Sequence, residues 1–273
     1  MNYLEKDKLY CSQGDTSGKH EPKKIFIGAE GCYLFDECGV KYLDMQMYNS
    51  AANFGYKNEA YSECMKNTLE TLPCLAGEFM SKSRIDLSEK ICQYMYKNHG
   101  VRGRVHFTVG GAQAVDDAMK IAINFNQKRG FLAFEGAYHG RTMASSSVSS
   151  SYRYTRQFGS VMNVQRIPFP NCFSCAYDKC PTDCGLYCLK KFKQKFESEF
   201  SGFYDNNHSD AAYSAFIFEP VLGRGGYVFP NEKYYSELCS FLHEHNILVI
   251  AVLHAVAHVI HYPIFKEVFL EAM

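Results

Sequence analysis

The sequence predicts an α/β protein: a mostly parallel sheet flanked by helices. Three observations carry this expectation. Short apolar runs of strand length recur at Phe131 to Phe134, Ala215 to Phe218 and Ile247 to Leu253. Amphipathic segments of helical period stand before or between them, so helix and strand alternate. The runs are continuously apolar, as strands covered on both faces are. A chain of 273 residues can build a sizeable core, and 47% hydrophobic content argues against disorder.

Residues 1–24 are polar, with a Gly/Ser/Asp-rich stretch, and read as an N-terminal arm. From Ile25, IFIGAEGCYLFDECGVKYLDM alternates apolar and polar residues, with turns near Gly31 and at Glu37-Cys38-Gly39, a strand-turn-strand pattern. Helices are expected near Glu59 to Leu69 and over Ile85 to Tyr96, where Ile85, Leu87, Ile91, Tyr94 and Met95 repeat at roughly helical spacing. Val105 to Val109 reads as a strand and Gly110-Gly111 as a sharp turn. Ala112 to Asn126 follows as an amphipathic helix with Val115, Ala118, Met119, Ala122 and Phe125 on one side. Tyr234 to His245 is a further helix, with Leu238, Phe241 and Leu242 inward. No internal repeat is evident. The expected divisions are an arm (1–24), the N-terminal part of a small domain with its linker (25–95), an incomplete large domain (96–253) and a tail (254–273).

Lys plus Arg and Asp plus Glu each number 29, so the net charge is zero. That gives no electrostatic footprint for nucleic acid or an anionic membrane surface. The start, MNYLEKDKLY, lacks the basic and apolar regions of a secretory signal. The longest apolar run, Ile247 to Ile260, contains His254 and His258 and is too short and polar to span a membrane. The 12 cysteines are therefore read as reduced thiols of a cytoplasmic protein.

Two segments carry the chemistry. In GGAQAVDDAMKIA, the small residues Gly110, Gly111 and Ala112 lie between the expected strand and helix. They let a phosphate approach first-turn N–H groups that have no intrahelical partner. A plain glycine turn that starts a helix is the alternative. In GAYHGRT, Tyr138 offers an aromatic face, His139 a polar ring and Arg141 a bidentate fork for a carboxylate. A core aromatic, a satisfied polar residue and a surface ion-pair partner are the corresponding alternatives. Further on, IFEPVLGRGGYVFP places Glu219 at the carboxyl end of an apolar strand, where open α/β sheets bind ligands. It could equally cap a loop.

Taken together, these segments resemble class-III aminotransferases, which are fold-type-I pyridoxal-phosphate enzymes. The likeness runs from about Ile25 to Ala251. It is specific in Val109 to Ala122, Gly136 to Thr142 and Ile217 to Ala251. It implies a fold-type-I transferase-like α/β architecture with an incomplete small domain, and pyridoxal 5′-phosphate as cofactor. The phosphate would be held at Gly110, Gly111 and Ala112, and the ring stacked on Tyr138 with His139 and Glu219 in support. Arg141 would bind a substrate carboxylate. Gly110 replaces the family's usual serine, Gln113 its usual glutamate, and Arg224 stands where several members carry a second glutamate.

Two features the resemblance asks for are missing. The family's buried strand is followed by an Asp-Glu pair whose aspartate keeps the pyridine nitrogen protonated. Here NILVIA, Asn246 to Ala251, is followed by Val252-Leu253. No match continues beyond, and no Schiff-base lysine is identifiable. Lys266, the only lysine of the tail, has no motif around it. The expectation is a C-terminally truncated or aberrant member, impaired in catalysis. It would act on a small-molecule amino donor and a 2-oxo acid, as a homodimer or a heterodimer with an intact paralogue. The alternatives are a non-catalytic cofactor-binding or dimerising regulator and a Cys-rich metal-binding module. The latter rests on Cys172, Cys175, Cys180, Cys184 and Cys188, spaced C-x2-C-x4-C-x3-C-x3-C. Reduced thiols without metal are the default there. The spacing of His254 and His258 would share a helix face, but no third ligand is near.

Overall fold

A computed structural model describes residues 2–11, 24–151, 159–179, 182–205, 207–208 and 210–253. Most of the glycine-rich part of the expected arm, Cys180, and the whole tail with His254, His258 and Lys266 lie outside the described residues. The chain divides into two compact units, Met1–Arg84 and Ile85–Met273.

The first unit opens with a helix that the arm reading did not foresee. α1 (Tyr3–Tyr10) starts at a reciprocal cap between Asn2 and Glu5. Such a cap satisfies two orphan donors at once, but α1 buries no residue. β1 (Phe26–Glu30), β2 (Tyr33–Asp36) and β3 (Lys41–Leu43) then form an antiparallel sheet with turns where expected. Buried Asp36 pins the second turn. Its carboxylate accepts from the Cys38 and Val40 amides at 3.0 and 2.8 Å and from the Tyr42 hydroxyl at 3.0 Å. After the short α2 (Met47–Ser50), α3 (Glu59–Thr71) is capped by Asn58, which accepts from the Tyr61 amide at 3.0 Å. α3 buries none of its residues. Nor does α4 (Lys82–His99), which begins at the division between the units.

The second unit is a three-layer α/β structure. β4 (Gly130–Phe134), β5 (Asn163–Ile167), β8 (Tyr213–Phe218) and β9 (Leu248–Ala251) form one parallel sheet in the order β5-β4-β8-β9. The intervening β6 (Tyr204–Asp205) and β7 (Asp210–Ala211) make a separate small hairpin. Side chains alternate across the main sheet, as the pleat requires. Leu132, Phe134, Phe216 and Phe218 point into a core closed by α7 (Tyr187–Glu197) and α8 (Glu232–Glu244). Phe131, Ala133, Ala215 and Ile217 face a second core with α5 (Gly111–Asn126) and α6 (Met143–Val148). Burial on both faces is why β4 and β8 read as unbroken apolar runs.

Two expectations fail. Val105 to Val109 forms no strand; Val109 is 95% exposed and Phe107 also faces out. A β-branched run becomes a strand only with a partner, and no described strand pairs with this one. Phe125 of α5 is likewise exposed, whereas Val115, Met119 and Ala122 are buried. The buried stripe of α5 is narrower than the periodicity implied. The end of α5 is instead fixed by Asn126, whose side chain exchanges two 2.9 Å hydrogen bonds with Ser214.

Candidate active site

The site lies at the carboxyl edge of the parallel sheet, where the strand order changes direction. From β4 the chain crosses to β5 on one side, while β8 pairs with β4 on the other. Loops leaving neighbouring strands on either side of such a point diverge and open a crevice. GAYHGRT leaves the end of β4 and Glu219 directly follows β8. The two are joined there: the Tyr138 amide donates to Glu219 Oε2 at 2.8 Å. The other oxygen, Oε1, accepts from the Gly223 amide at 3.3 Å. Glu219 thus ties two loops together. Burial pushes its carboxyl above the usual carboxylate range, and the two amides only partly offset this.

GAYHGRT also packs on the first turn of α5. Gly140 has φ +137°, and a Cβ there would lie 2.7 Å from Ala112 Cβ. Only glycine allows both the backbone conformation and the approach. Asp116 of α5 completes the junction. Its Oδ1 accepts from Thr142 Oγ1 and from the Ser145 amide, each at 2.9 Å, where α6 begins. Asp116, Thr142 and Ser145 were not legible as site residues, because the pairing spans 26 and 29 positions and no local pattern marks it.

The start of α5 has no side-chain cap. A Cβ on either Gly110 or Gly111 would meet nothing within 4 Å, so space lies open beside first-turn amides of the helix. Ala112 is on the same turn, against Gly140.

Around Tyr138, Arg141 Nε donates to the hydroxyl at 3.1 Å, and the Arg224 guanidinium lies 5.0 Å from the ring centre. Both arginines are exposed. His139 is 3% exposed, and neither ring nitrogen has a hydrogen-bond partner. Burial alone pushes its pKa down to about 3, so the ring is neutral near pH 7. Its amide donates to Ser149 Oγ at 2.9 Å. All seven candidate residues, Gly110, Gly111, Ala112, Tyr138, His139, Arg141 and Glu219, thus fall within one linked set of loops and helix ends. Val252 stands at the same edge, its amide bonded to the Phe218 carbonyl at 2.8 Å. That places an apolar side chain on the strand beside Glu219.

Of the four described cysteines of the cluster, Cys172, Cys175 and Cys184 lie in the connection between β5 and α7, and Cys188 in the first turn of α7. They take no part in the junction described above.

The sequence profile described as aminotransferase class-III matches residues 17–251. A Bacillus subtilis protein named probable 4-aminobutyrate aminotransferase is 26% identical over 253 residues, covering 91% of this chain and 55% of that protein. A leucine/methionine racemase of Thermococcus litoralis is 26% identical over 227 residues, covering 82% and 49% respectively. The chain therefore spans about half the length of the curated relatives it matches. Among solved structures, the omega transaminase of Pseudomonas jessenii in complex with PMP superposes with a TM-score of 0.78 at 24% identity, covering 92% of this chain and 56% of that one. A PLP-bound amine transaminase from an uncultivated Pseudomonas species gives 0.75 at 22%, covering 88% and 55%. With the sheet, its switch point and the profile in agreement, the chain belongs to the class-III aminotransferases, a family of pyridoxal-phosphate enzymes.

Proposed function

We propose that the carboxyl edge of this sheet holds pyridoxal 5′-phosphate, and that the chain is the cofactor-binding part of an aminotransferase. Such an enzyme moves an amino group from an amine or amino acid to a 2-oxo acid. One observation carries the reading: an uncapped helix start with open space at Gly110 and Gly111 adjoins a loop whose tyrosine is fixed by a buried glutamate. The donor set suits a phosphate ester and a flat ring.

When bound, the cofactor supplies an electron sink for the amine carbon. The residues of this chain would do the rest of the positioning. First-turn amides at Gly111 and Ala112 would grip the phosphate, and the Tyr138 ring would hold the heterocycle flat. Glu219 would keep Tyr138 in place through its backbone. Arg141 would orient a substrate carboxylate, with its fork already next to Tyr138.

Proton management at the ring is where the chain departs from this role. Val252 cannot hold a proton at the pyridine nitrogen. This favours a second reading, in which the chain binds the cofactor, or pairs with another copy or an intact paralogue, without turning over by itself. A cytoplasmic setting belongs to either reading and agrees with the described cysteines being free thiols. The racemase among the relatives leaves the amino donor and acceptor outside the proposal.

Titration with pyridoxal phosphate, followed by borohydride reduction and peptide mapping, tests both readings. A saturable absorbance change with label on one lysine supports the enzyme. A saturable change without covalent label supports the non-catalytic binder. No change at saturating cofactor sinks the proposal.

A further inference from the structure

α6 and its C-terminal cap hold four buried serines, Ser145, Ser146, Ser147 and Ser149, whose hydroxyls have to find partners inside the protein. Three of them turn back on the helix. Ser146 and Ser147 donate to the Met143 carbonyl at 3.1 and 2.8 Å, and Ser149 donates to the Ser145 carbonyl at 2.9 Å. The last carbonyls of a helix have no intrahelical partner. Here Arg166 of β5 collects two of them. Its Nη2 donates to the Ser147 carbonyl and, at 2.8 Å, to the Ser149 carbonyl. Both links run through one nitrogen, and the buried Nε has no partner.

The same stretch carries the loop of the candidate site. Ser149 Oγ accepts from the His139 amide at 2.9 Å and lies 3.3 Å from the Gly140 carbonyl. The Ser150 amide donates to the Ala137 carbonyl at 2.9 Å. Tyr138 therefore stands between two backbone ties to one segment, and Arg141 follows directly. Asp116 of α5 holds the start of α6 and Arg166 its end, the signs that suit the two ends of a helix. Burial draws the Arg166 pKa down and the neighbouring Glu135 carboxylate partly offsets this; an arginine keeps its charge in such a setting. Side chains on an edge strand usually reach solvent, whereas this one is half-buried and turned onto the helix end.

We propose that Arg166 is a positioning residue for the site: by capping the carbonyl end of α6 it fixes Ser149, and through Ser149 and Ser150 it sets the placement of Tyr138 and Arg141. Without it, two carbonyls at the helix end lose their donor, and buried groups left in that state draw in water or move. The loop tied to them moves too, which loosens whatever is stacked on Tyr138. The inference rests on the cofactor reading for what the loop holds. The placement of the loop itself is independent of that reading.

Two measurements on the whole chain test this. Arg166→Met keeps the apolar stem and removes the donors, whereas Arg166→Lys keeps a single charged nitrogen, which is what both bonds use. Hydrogen exchange, read by mass spectrometry, should be about tenfold faster over residues 136–150 in Arg166→Met, roughly one lost hydrogen bond. Exchange over β8 should stay as in the wild type, and Arg166→Lys should recover most of the protection. Affinity for pyridoxal phosphate, from absorbance titration, should fall about tenfold in Arg166→Met. Phe192→Leu, in the core on the other face of the sheet, should lower the denaturation midpoint with both readouts unchanged. Exchange over residues 136–150 that is unaltered in Arg166→Met, or raised equally over β8, would overturn the proposal. So would an affinity loss matched by Phe192→Leu. A wild-type chain that binds no cofactor sinks the cofactor reading alone, and the exchange result then decides this one.

Discussion

Glu219 and His139 are both buried titratable groups at the site, and their linkages to pH have opposite sign. For Glu219 the folded pKa lies above the ordinary value of 4.5. Its contribution to stability is fully present below that value and is lost as pH rises through the folded pKa. Glu219→Gln should therefore flatten the fall in stability above pH 4.5, read from denaturation midpoints across a pH series. The same change presents an amide NH2 to one of the two backbone donors. Cofactor affinity should fall by about tenfold, roughly one hydrogen bond. His139 has a folded pKa of about 3 against 6.5 in the unfolded chain. The unfolded state then binds more protons between those values, so stability drops as pH falls from 6.5 towards 3, by on the order of 4 kcal/mol at the acid end. His139→Leu should remove most of that acid sensitivity. An unchanged acid slope in the variant would rule out His139 as its source.

Among elements, the packing of GAYHGRT on α5 is the contact that makes the site. Gly140→Ala places a methyl group against Ala112 at a φ of +137°. The strain should cost about 1–3 kcal/mol, and cofactor affinity should fall more than stability does, because the loop is pushed off the helix start. Calorimetry with and without pyridoxal phosphate separates the two effects. On the opposite face, fully buried Phe196 of α7 meets Phe192, Phe203, Tyr204, Phe241 and His245. Phe196→Ala should destabilise the second unit by about 3–5 kcal/mol. A loss below 1 kcal/mol would mean that this aromatic cluster contributes little to the fold. The helices are also where the sequence was least informative. α6 is a serine-rich stretch ordered by Thr142 and Asp116, and α7 has a strong apolar stripe hidden among lysines. β5, NVQRI, has too few apolar residues to stand out, because it is the edge strand and only partly buried.

At the scale of the molecule, much apolar surface remains exposed. Tyr61, Met65 and Leu69 of α3 face out, as do Ile121 and Phe125 of α5. Patches of this kind mark surfaces that associate. Light scattering after size exclusion should give a mass above that of one chain. A clean monomer over the whole accessible concentration range would remove the dimer from the proposed function. Among the described residues no helix is long and apolar enough to cross a membrane.

The layer architecture, the positions of β4, β8, α5 and α8, and the residue types of the candidate cradle were all legible in the chain. These follow from local periodicity and from the glycines at Gly110 and Gly111, which are visible within a window of a few residues. That Tyr138 hangs from Glu219, that Asp116 holds Thr142, and that Val109 and Phe125 stay in solvent came from folding in three dimensions. Those outcomes depend on which distant segment arrives beside a residue, and a hydrogen bond across 81 positions leaves no periodic trace in the chain.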